Sequence, residues 1–179
     1  MSKNNKGKTT VYGSVEKLTQ IGQVIGDVII PSTPDAATLL KRGVQLIKAR
    51  SYDAAIDALS QALKTEPTVA DTHYYLAVAL LKGRRPKVLN RAEAENISQY
   101  LQTACTLDDS RSHYYYLWAL VKHDFYQLNG FGVKPPGVIE LIEIGEQVVS
   151  DRKAIAEMRS LIASVIDNPI YDYIVEKIL

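Results

Sequence analysis

One cysteine, Cys105, is all the thiol chemistry that this chain of 179 residues has. That excludes an intramolecular disulfide and a zinc site built from cysteines alone. An excess of either charge is also missing: 21 Lys and Arg stand against 20 Asp and Glu. No global field therefore draws the chain toward nucleic acid or a membrane surface. No apolar run reaches the roughly 18 residues of a spanning helix. The basic start, Met1 to Lys8, is not followed by a compact apolar stretch with a small-residue cleavage site. The expectation is a cytoplasmic protein without membrane contact.

Catalytic patterns are equally scarce. Gly7-Lys8-Thr9 has the end of a phosphate-binding loop, but Ser2 stands where that loop needs its first glycine and no strand precedes it. The histidines are His73, His113 and His123. They form no His-Glu-x-x-His pattern, and no serine sits in a nucleophile elbow. His73 and His113 recur in one sequence context, which points to packing. Cys105 lacks a neighbouring cation or helix start that would activate it, so it reads as a small buried hydrophobe. The chain is expected to have no catalytic residue, no metal and no cofactor.

What the sequence does have is repetition. Ala55, Leu59, Ala62 and Pro67 stand four, three and five residues apart; Ile97, Leu101, Ala104 and Asp109 repeat those spacings, as do Val138, Ile142, Gly145 and Ser150. A unit of about 34–45 residues made of two helices is the mark of a stacked helical array. Apolar content of 46% with 23% charged residues suits a soluble chain able to bury a core.

Residues 1–34 come first: a polar, basic lead to about Thr10, then a Val/Gly/Ile-rich appendage. In that appendage Val11, Val15, Leu18, Ile21, Ile25 and Val28 fit a helical stripe. Gly13, Gly22, Gly26 and many β-branched residues favour short strands instead, such as Thr10–Tyr12 and Val24–Ile30. Pro31 and Pro34 close the segment. Helices are then expected at about 36–49, 52–65, 70–82, 92–106, 112–128 and 138–149. An insertion at 83–91 delays the fourth of them, and a proline-glycine loop at 131–137 precedes the sixth. Helices at about 151–166 and 169–179 make a C-terminal cap, because a stacked array must cover its last open face.

Over Asp35 to Ser150 these units resemble the tetratricopeptide repeat. Gly43 matches the small residue that lets paired helices approach, and Tyr52, Ala55, Leu59, Ala62 and Pro67 match the aromatic, small, bulky, small and terminating positions. Leu76, Ala77 and Leu80 match in the second unit; Arg42 departs, since the family prefers an apolar residue there. The resemblance implies an all-α right-handed superhelix of three repeats over 35–150, capped by 151–179. It also implies a concave face lined by the first helix of each unit. Read onto this chain, that face takes Leu40, Val44 and Lys48, then Tyr74, Val78 and Lys82, then Tyr114, Trp118 and Lys122.

Aromatic anchors beside a line of lysines suit an amphipathic helix or extended peptide that bears carboxylates. The other reading is that the chain's own cap or N-terminal segment covers the groove. Val44 and Val78 stand where repeats that hold chaperone tails carry asparagine, so that recognition is set aside. The leading expectation is a non-catalytic adaptor for a protein or peptide partner. A loose likeness of the appendage to segments of bacterial multi-component signalling and defence proteins favours a bacterial setting. Unpaired strand edges in the appendage would allow self-association. The alternative is a nucleic-acid-binding protein that uses the basic insertion, Arg84, Arg85, Lys87 and Arg91. Balanced charge disfavours it.

Overall fold

The computed structural model describes residues 34–149 and 151–177, together with the backbone of two short strands, β1 (Val24–Ile25) and β2 (Val28–Ile29). The chain divides into two units, Met1–Pro34 and Asp35–Leu179. In the first unit β1 and β2 pair antiparallel, Val24 opposite Ile29 and Ile25 opposite Val28. The basic lead and the strand expected at Thr10–Tyr12 lie outside the described residues.

The second unit holds eight α-helices among the described residues: α1 (Ala36–Lys48), α2 (Tyr52–Thr65), α3 (Ala70–Leu81), α4 (Arg91–Leu107), α5 (Ser112–Val121), α6 (Val138–Gln147), α7 (Arg152–Leu161) and α8 (Pro169–Glu176). Their starts are written in side chains that satisfy free backbone N–H groups. Asp35 accepts from Thr38 N at 2.6 Å. Asn90 and Glu93 form a reciprocal capping box. Asp151 accepts from Ala154 N at 3.0 Å. Asn168 accepts from Ile170 N and Tyr171 N, with Pro169 in the first turn.

Consecutive helices pair as antiparallel hairpins, α1 on α2, α3 on α4 and α5 on α6, and each hairpin packs on the next. The crossings need small residues. A Cβ on Gly43 of α1 would come within 2.5 Å of Leu59 Cγ on α2, and one on Gly145 of α6 within 2.7 Å of Tyr116 Cε1 on α5. Ala55, Ala62, Ala94 and Ala104 are completely buried at the same kind of contact. Gly43→Ala should gain up to about 1 kcal/mol of helix propensity and lose more by pushing the fully buried Leu59, for a net loss of about 1–2 kcal/mol. Urea unfolding checks it: an unchanged midpoint would mean that α1 can slide off α2 without loss.

Helix α5 lies at the centre, every residue from Ser112 to Val121 being buried. Tyr74 of α3 stacks on Tyr114 of α5 with centroids 4.8 Å apart, and His113 packs edge-on against both rings. Two boundaries differ from the periodicity. The helix expected to run to about 128 gives way after Val121 to a wider π-helical turn, Lys122–Gln127. The helix expected to reach about 166 stops at Leu161. The extended residues that follow bury Val165 and carry Asn168 onto Asp124 at 3.0 Å. A tertiary contact outweighs local propensity there.

Candidate functional site

The expected row of aromatics and lysines is not an open surface, and the structure corrects that reading. Tyr74 is 1% exposed, Trp118 is 5% exposed, and Tyr114 and Val78 are buried as well. Leu40 and Val44 are half-buried. One cause is the chain's own C-terminal segment, which covers part of this row. Helix α7 buries Ile155, Met158 and Leu161, packs on α5, and sends Glu157 to Lys48 of α1 at 2.7 Å. Burying three such side chains contributes about 1.5–3 kcal/mol each, so α7 belongs to the fold.

The lysines do not form a line either. Lys48 is held by Glu157. Lys82 closes α3 in the left-handed region, φ 51°, and turns to Asp53 of α2 at 2.6 Å. Lys122 is 5% exposed and donates to the carbonyls of Lys134 at 2.8 Å and Pro136 at 2.6 Å. Each lysine serves a different local contact, because the ends of α3 and α5 depart from a regular helix.

The basic insertion is largely spent inside the molecule. Arg84 pairs with Glu93 at 2.7 Å and Arg91 with Glu95 at 2.9 Å. Arg85 grips Asp124 through Nε and Nη2, at 2.7 Å for the shorter contact. Asp124, whose side chain is 0% exposed, also accepts from Lys87 N and Asn168 Nδ2. Burial pushes its carboxyl upward, but these donors outweigh burial and hold it below the usual carboxylate range. Among the described residues Lys87 is the one insertion cation whose side chain has no ion pair. A phosphate-gripping loop needs its cations free, and this one has little to offer.

The histidines and the cysteine are packed, not poised. His73 Nε2 lies 2.8 Å from the Pro67 carbonyl. Burial lowers His113 to about 4 and pushes the Cys105 thiol up to about 12. Among the described residues no group of three His, Cys, Asp or Glu side chains gathers that could hold a metal ion.

A cavity of about 300 Å³ lies between α4 and α5 beneath the loop that joins α5 to α6. Helix α4 lines it with Arg91, Glu95, Ser98, Gln99 and Gln102, one polar stripe at helical spacing. Trp118, Lys122 and Tyr126, each four residues from the last, line it from α5 and the π turn, and Gly132 to Pro135 close it from the loop. Lys122 Nζ sits 4.8 Å from the Trp118 ring centre. The indole N–H of Trp118 and the hydroxyl of Ser98 are buried with no hydrogen-bond partner among the described residues. Three of the residues singled out from the sequence, Trp118, Lys122 and Arg91, thus meet here, on a different face from the one expected. Gln99, Gln102 and Lys134 were missed. The signal for the two glutamines was present as the polar stripe on α4 facing an aromatic one.

No protein-family model matches the sequence, and no curated protein matches it. Among solved structures the chain is similar to a chain of the "CopN-Scc3 complex", at 16% sequence identity and a TM-score of 0.46, over 82% of this chain and 68% of that one.

Proposed function

We propose that this chain is a non-catalytic adaptor of the tetratricopeptide-repeat kind that docks a protein partner across the α4–α5 face and the loop above it. The observation that carries the reading is the exposed apolar edge beside the cavity. Phe131 is 48% exposed and Leu128 and Val88 are also exposed. Phe131 is anchored to the cavity wall through its N–H on the Tyr126 carbonyl, 2.7 Å. Asn129 Nδ2 on the Lys87 carbonyl, 3.1 Å, ties Val88's turn to the same edge. Aromatic side chains held on a rigid frame at the rim of a pocket are what protein partners use as anchors. The concave face is the weaker choice, since α7 fills it.

The test is a site-specific photo-crosslinker placed at Phe131, and separately at Ala37 on exposed α1, in the source cell. A partner captured from Phe131 and not from Ala37, and lost in Gln99→Arg, is the expected result. A Phe131→Asp chain that recovers every partner of the wild type would overturn it. These positions are solvent-facing, so the substitutions should leave stability within about 0.5 kcal/mol.

A further inference from the structure

The cavity holds a charge that the fold leaves unbalanced. Asp124 shows how this protein treats a buried ion elsewhere: an arginine, a backbone N–H and an amide surround it. Lys122 is buried as deeply as its neighbours, yet no carboxylate lies within ion-pair distance of it among the described residues. Its two acceptors are neutral carbonyls and its third side faces an indole ring. Burial accordingly lowers its pKa, with Glu140 opposing only from a distance. A buried cation without an anion is costly, and an arriving negative charge recovers that cost.

The rest of the lining agrees in sign and shape. Lys134 adds positive charge, and the one carboxylate in the lining, Glu95, is paired with Arg91. Trp118, Tyr126, Val133 and Pro135 supply flat apolar walls. A volume of about 300 Å³ stands at the small end of ligand pockets. An inorganic anion would leave the aromatic walls uncovered, and a neutral apolar molecule would leave Lys122 as it is. We propose that this cavity is a binding site for a small organic carboxylate carried on an apolar or aromatic body. Its roof is the loop that presents Phe131, so occupancy would steady the edge assigned to partner docking.

Trp118 is the only tryptophan, so its indole N–H gives one resolved NMR signal from inside the site. The full chain is titrated with 3-phenylpropionate, with 3-phenylpropionamide and with acetate. The carboxylate should move that signal saturably, and the amide and acetate should each bind about tenfold more weakly or worse, the equivalent of about 1.4 kcal/mol. Lys134→Ala, on the exposed loop, should weaken the carboxylate several-fold and leave the melting temperature unchanged. No saturable shift with the carboxylate, or equal binding of acid and amide, overturns the proposal. Binding of acetate as tight as that of 3-phenylpropionate overturns the apolar half of it. The assay contains no protein partner, so its outcome is separate from that of the crosslinking experiment.

Discussion

Replacing Asp124 by alanine should cost the helical unit about 3–5 kcal/mol, the range for breaking a buried, hydrogen-bonded ion pair from one side. The expected size follows from how many segments depend on this carboxylate. Arg85 reaches it from the insertion, across 39 residues of sequence, and Asn168 from the turn before α8, across 44. Lys87 N–H is a third partner at 2.9 Å, and Arg85 continues to the Ile166 carbonyl. Removing the carboxylate orphans a buried amide and a backbone N–H, and leaves a half-buried guanidinium without its counter-ion. Asp124→Asn keeps the shape and can still accept from Lys87, so its loss should be smaller, about 2 kcal/mol.

Urea unfolding of the two variants measures this directly. Hydrogen exchange should show the effect first in α8 and the residues before it, because Asn168 both caps α8 and fastens it to Asp124. An Asp124→Ala chain that melts with the wild type would mean that solvent already satisfies Arg85 and Asn168, and that the knot contributes nothing.

That knot also marks where the sequence stops being readable. The helices of the three hairpins follow from local rules: an apolar stripe, a small residue where backbones cross, a cap at the start. Gly43 opposite Leu59 and the Asn90–Glu93 box are legible one residue at a time. Asp124 carries no local sign that it will be buried. Its partners are far away in the chain, and the π turn that points it inward answers to them. The end of α7 is hidden for the same reason, since the residues after Leu161 are drawn out to reach Arg85 and Asp124.

The candidate site divides along the same line. That Tyr74, Tyr114 and Trp118 matter was visible in their clustering; which side of the helix they face was not. Repeat arithmetic assumes that each first helix keeps one face open, whereas α5 is surrounded, by α4, α6, α7 and α8. A central helix that is apolar on every side is the sequence sign of burial all round, and Ser112-His113-Tyr114-Tyr115-Tyr116-Leu117-Trp118-Ala119-Leu120-Val121 carries it. Weighed that way, the aromatic row reads as core, and the polar stripe of α4 becomes the better guide to a site.

The surrounded α5 sets the protein's response to acid. His113 is 6% exposed and packed edge-on against the stacked rings of Tyr74 and Tyr114, and its Nδ1 has no partner among the described residues. Burial is the main cause that lowers it from 6.5 to about 4; Arg111 adds to the lowering, while Asp71, Asp151 and Glu157 oppose it. Above pH about 6.5 the imidazole is neutral in both folded and unfolded chains and contributes no pH dependence. Between 6.5 and 4 the unfolded chain takes up the proton and the folded one does not, so stability falls as pH falls. Below about 4 both are protonated and the loss is complete, at about 3 kcal/mol. The depressed carboxylates of Asp124, Glu93 and Asp108 lose their contribution mainly at lower pH. His123, also lowered by burial, adds to the slope in the same window. The measurement is therefore a difference: urea midpoints of wild type and His113→Phe at pH 7, 6, 5 and 4, where phenylalanine keeps an aromatic ring in that place without a titrating group. The wild type should lose stability faster, and the gap between the two should shift in favour of the variant by about 2–3 kcal/mol across the range. Parallel curves would mean that His113 titrates as it would in water, and that α5 opens to solvent in the folded chain.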